Sequence, residues 1–76
     1  MILRLPPLSP MEADQVQMAG DAAALLGRLC GRIYSKDTID YYARSGRLPF
    51  ILVSGRRVFL GRHIFELAQR LMARDG

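Results

Sequence analysis

The sequence predicts a single α+β domain, mainly helical, with two capped helices, a two-stranded β-hairpin and a closing helix. Three observations carry this. Ser9-Pro10-Met11-Glu12 and Ser35-Lys36-Asp37 are helix starts, in which a serine hydroxyl can accept from the first turn's backbone. Phe50-Ile51-Leu52-Val53 and Arg57-Val58-Phe59-Leu60 are β-branched and aromatic runs flanking a Ser54-Gly55 turn signal. Ile64, Leu67, Ala68, Leu71 and Met72 then recur at helical spacing.

The chain has 76 residues, room for one domain (1–76) with one small core and a short N-terminal extension (1–9). A core of that size does not readily enclose a deep enzyme cleft. Half the residues are apolar and 24% charged, which suits a compact fold and argues against a disordered tail.

Taken in order, Ile2 to Leu5 reads either as a third short strand at the N-terminus or as a loose start whose leucines rest on the core. Pro6-Pro7 stops it by removing two backbone donors. From Pro10 the spacing predicts a helix to about Leu29, with Met11, Met18, Ala22, Leu25, Leu26 and Leu29 on its buried side. Gly20 either lies within that helix, at about 1 kcal/mol relative to alanine, or divides it. Gly31 is the expected stop.

Ser35 caps a second helix that ends at Gly46, with Asp37 in the first turn where a carboxylate favours the helix dipole. Ile39, Tyr42 and Ala43 share its inner arc; Asp37, Asp40, Tyr41 and Arg44 lie outside, with Lys36 and Thr38 at the borders. Pro49 opens the hairpin, whose tip carries Arg56 and Arg57. The last helix runs from Arg62 to about Arg74 and closes the core from behind.

The net charge is +4, and it is unevenly placed. From Arg28 onward there are ten basic residues (Arg28, Arg32, Lys36, Arg44, Arg47, Arg56, Arg57, Arg62, Arg70, Arg74) against four acids (Asp37, Asp40, Glu66, Asp75). A localised basic excess is what a polyphosphate partner requires. Cys30 is the sole cysteine, so no internal disulfide forms and a reducing cytoplasm is the expected compartment. The opening residues carry no signal-peptide or membrane-span pattern. His63 has no second ligand at zinc-like spacing, no serine has a recognisable base and acid around it, and there is no phosphate-cradling glycine loop. Neither catalysis nor a cofactor is expected.

The order helix, turn, capped helix, hairpin, helix is that of a small winged helix-turn-helix, and particular residues sharpen it. Ala22-Ala23-Ala24-Leu25-Leu26-Gly27, preceded by Asp21, resembles the acidic, alanine-leucine-glycine run of the excisionase-like and MerR-like DNA-binding superfamily. Thr38 to Pro49 is similar to that group's signature of a threonine, a β-branched residue, an aromatic or leucine, a glycine stop and a strand-starting proline. Gly55-Arg56-Arg57-Val58-Phe59-Leu60 looks like the wing's return strand, so the resemblance spans Asp21 to Leu71. The chain departs from the pattern in a longer Arg28–Tyr34 segment, the N-terminal extension and the two acids on the second helix.

The resemblance implies that the second helix enters the major groove of double-stranded DNA and the hairpin lies on the backbone or in the neighbouring minor groove. It places Ser35 and Lys36 at a phosphate, Thr38, Tyr41 and Arg44 near the DNA, Arg47 at a further phosphate, and Arg56 and Arg57 on phosphate or in the minor groove. Arg44 is the candidate for base readout, since its fork matches both guanine acceptors. Asp37 and Asp40 either neutralise Lys36 and Arg44 in the free protein or accept from a cytosine amine. The family implies an excisionase that bends DNA for an integrase, or a compact transcription regulator; partners are DNA, an integrase or recombinase, or a second copy on DNA, and no membrane. With the chain ending at Gly76, the long dimerisation helix of an effector-sensing MerR-type regulator is not expected. A different class, a protein-interaction adaptor presenting the same surface, stands beside these.

Overall fold

A computed structural model of the protein describes residues 8–75. The elements run α1 (Pro10–Asp14), β1 (Val16–Gln17), α2 (Ala19–Cys30), α3 (Lys36–Arg44), β2 (Ile51–Val53), β3 (Arg56–Leu60) and α4 (Gly61–Asp75). This is the expected mainly helical α+β architecture with a hairpin and a closing helix.

Ser9 starts α1 as its sequence predicts, its Oγ accepting from the Glu12 N–H at 3.2 Å. The helix then stops at Asp14, far short of Leu29, and Gln15 turns into extended backbone (φ −69°, ψ 131°). Val16 and Gln17 pair antiparallel with Leu60 and Phe59, giving a three-stranded sheet in the order β1-β3-β2. The continuous helix and the break at Gly20 are both corrected: the break falls at Gln15–Met18, and Gly20 sits inside the first turn of α2. Local periodicity bridged the break because Met11 and Met18 happen to share its phase, but Met11 is 83% exposed and Met18 41%. The edge of β3 provides backbone partners that a helix at this place would leave unpaired, and Val16 suits a strand. The third strand among the described residues is therefore β1; the strand considered at Ile2–Leu5 lies outside them.

Gly61 explains how α1 reaches this position. A methyl group built on it would collide with the Glu12 carbonyl, so only a glycine lets the one-and-a-half-turn helix cross the head of α4. The Gly61 N–H donates to the Gln15 carbonyl at 3.1 Å, and exposed ion pairs Glu12–Arg28 (2.7 Å) and Asp14–Arg62 flank the contact.

The core contains the expected Ala22, Leu25, Leu26, Ile39, Ala43, Ile64, Leu67 and Ala68, without Met11 and Met18 and with Ala23, Leu48 and Phe59 added. Leu26 from α2, Ile39 from α3, Leu48 from the exit loop, Phe59 from β3 and Ile64 from α4 are each under 2% exposed. Leu67 and Ala68 of α4, Ala43 of α3 and Ala22, Ala23 and Leu25 of α2 complete it, so α4 closes the core from behind. Gly31, at φ 69°, ends α2. Tyr34, half-buried in the loop that follows, has its phenol pushed above its usual range by burial and by the neighbouring Cys30 thiol. It is neutral where it packs.

Candidate nucleic-acid interface

The α3 helix is fixed at both ends. Ser35 Oγ accepts from the Thr38 N–H at 3.3 Å, and the two hydroxyls lie 3.3 Å apart. At the other end Gly46 takes φ 79°, and the Arg47 and Leu48 N–H groups both donate to the Tyr42 carbonyl, at 2.9 and 3.2 Å. Ile39 and Ala43 are buried and Tyr42 packs against the core, which leaves Lys36, Asp37, Tyr41 and Arg44 facing solvent. Tyr41 is 52% exposed and meets Tyr42 edge-on, with centroids 5.6 Å apart. One tyrosine packs and one is presented, as the spacing predicts.

The hairpin has a two-residue turn with Val53 paired to Arg56, and both turn residues have positive φ, 51° at Ser54 and 78° at Gly55. That pair of left-handed residues matches the right-handed twist of the flanking strands, and the glycine makes half of it sterically free. Arg56 and Arg57 therefore begin the return strand at the tip, with alternate residues on opposite faces. Arg56 is exposed. Arg57 is half-buried: its Nη1 lies 3.6 Å from Asp40 Oδ1 on α3, and its guanidinium carbon sits 5.2 Å from the centre of the Phe50 ring. Phe50 in turn meets Phe59 edge-on at 6.5 Å, tying the hairpin to the core.

The predicted site residues thus fall into two groups. Lys36, Tyr41, Arg44, Arg47 and Arg56 are exposed on α3, its exit and the wing. Ser35, Thr38 and Arg57 are engaged within the protein, the first two in the helix cap and the third between Asp40 and Phe50. Asp40 reaches across to the wing, and the expectation that it neutralises Lys36 or Arg44 is corrected accordingly.

An open groove between the wing and the helices is lined by Met18, Ala19, Asp40, Leu52, Arg56 and Arg57. Its Met18 and Leu52 walls were not legible as site residues, because one depended on the unforeseen break before α2 and the other on hairpin register. Arg28 and Arg62, by contrast, pair with the acids of α1. Among the described residues no group of three or more His, Cys, Asp or Glu is placed to hold a metal ion, and no helix is long and apolar enough to cross a membrane. The chain matches no protein-family model, no curated protein and no solved structure.

Proposed function

We propose that the chain is a sequence-specific DNA-binding architectural protein of excisionase type, which places α3 in the major groove and the β2–β3 wing on the adjacent backbone. The observation that carries the proposal is an exposed, arginine-bearing face of α3 joined to a basic hairpin tip through the Asp40–Arg57 contact, with α3 and β3 packed on one core. Arg44 reads a base edge, where a bidentate arginine–guanine pair discriminates by about 1–3 kcal/mol. Lys36, Arg47 and Arg56, at the tip of the wing, contact phosphate. In this role the protein bends DNA to direct site-specific recombination; a small transcription regulator would use the same surface.

The test is a mobility-shift titration against duplex DNA from around the gene and from any adjacent integrase attachment site. Binding that weakens steeply with salt is expected, and Arg56→Ala combined with Arg57→Ala should flatten that dependence. Absence of binding to either DNA at low salt overturns the proposal.

A second reading is favoured by one specific observation. Ile51, Leu52 and Val53 of the edge strand β2 are 51%, 64% and 53% exposed, an apolar edge of the kind that pairs with another chain. A protein-interaction adaptor would use that edge, and its binding would survive the salt that releases DNA.

A further inference from the structure

Arg56 and Arg57 are neighbours in sequence but not in surroundings. Both line the groove beside Asp40, but Arg56 is exposed there, while Arg57 is half-buried between the Phe50 ring at 5.2 Å and the Asp40 carboxylate at 3.6 Å. We propose that Asp40, an acid on the reading helix, withholds Arg57 from phosphate, so that the wing makes one arginine–phosphate contact instead of two. The inference rests on the DNA-binding function proposed above and deepens it by assigning Asp40 the part of a positioning residue that sets affinity.

The physical basis is competition for one guanidinium. The side chains of Arg57 and Asp40 are 36% and 41% exposed, so a phosphate can approach both. An exposed ion pair contributes little by itself. Taking Arg57 onto phosphate, however, leaves the Asp40 carboxylate unpaired beside a polyanion, a repulsion that opposes the exchange. Arg57 keeps donors on its other edge, but a phosphate bound there lies within range of the same carboxylate. Phe50 holds the guanidinium by its face and keeps it in position. Arg56 has no such constraint in its exposed position and is the wing's phosphate ligand.

The salt dependence of duplex binding counts phosphate contacts, each changing the slope of log K against log salt by about 0.9. Anisotropy titrations between about 50 and 200 mM salt should therefore separate the two arginines. Arg56→Ala is expected to flatten the slope by about 0.9, and Arg57→Ala to leave it at the wild-type value. Asp40→Asn should bind several-fold more tightly and steepen the slope by about 0.9, and Arg57→Ala added to Asp40→Asn should restore the wild-type slope. Asp37→Asn removes the same charge from the same helix, and any gain it gives should persist without Arg57. All these side chains reach solvent, and a thermal melt of each variant checks that the fold is intact. The inference is overturned if Arg57→Ala flattens the slope as Arg56→Ala does, or if the Asp40→Asn gain survives the loss of Arg57. Wild-type chain that binds no duplex at low salt overturns the DNA-binding function itself, and this inference with it; binding with slopes that do not divide as stated overturns the inference alone.

Discussion

Gly61 carries more of the N-terminal architecture than any larger residue could. It is buried where β3 passes into α4, its N–H is bonded to the Gln15 carbonyl, and the backbone of α1 lies directly over its α-carbon. Gly61→Ala must push α1 away, and the expected cost is about 1–3 kcal/mol, the usual range for overpacking. Urea denaturation measures this, and an unchanged midpoint would show that α1 does not rest on Gly61. Ser35 acts by different means at the head of α3, through a single cap that fixes where the exposed face begins. At Arg57 the surroundings decide which function an arginine has, since neither its charge nor its place in the sequence separates it from Arg56.

At the scale of elements, the parts differ in how far local sequence dictates them. The α3 helix was legible from end to end, because a serine cap, an apolar arc of Ile39, Tyr42 and Ala43 and a glycine stop all act within one helix. The hairpin was legible for the same reason, its register following from a two-residue turn. The α1–β1 segment was not: its helical periodicity runs through Val16 and Gln17, and only β3, more than forty residues later in the chain, supplies the backbone partners that make them a strand. The Asp40–Arg57 pair was hidden likewise, since it joins two elements whose separate sequences say nothing of their relative placement. The β2 strand makes a further point. Its three apolar residues fit the strand pattern yet none is buried, so β-propensity here is not core formation. Leu52→Thr, at a position 64% exposed, is accordingly expected to change stability by no more than about 0.5 kcal/mol. A thermal or chemical melt checks this, and a loss several times larger would place Leu52 in the core.

In the whole molecule, basic residues differ in whether an acid meets them. Arginines 28 and 62 meet the acids of α1, while Lys36, Arg44, Arg47 and Arg56 are exposed around α3 and the wing. The buried side chains of α2, β3 and α4 support that second set from beneath. Exposed basic residues on α3, its exit and the wing suit contact with a polyanion. The central claim, that α3 and the wing together form the binding surface, is tested most directly by mapping amide shifts during titration of the labelled protein with duplex DNA. The account predicts that shifts concentrate in residues 35–47 and 54–57 and spare α1 and the exposed face of α4 around Glu66 and Arg70. Shifts centred on that face of α4, or none at low salt, would contradict it.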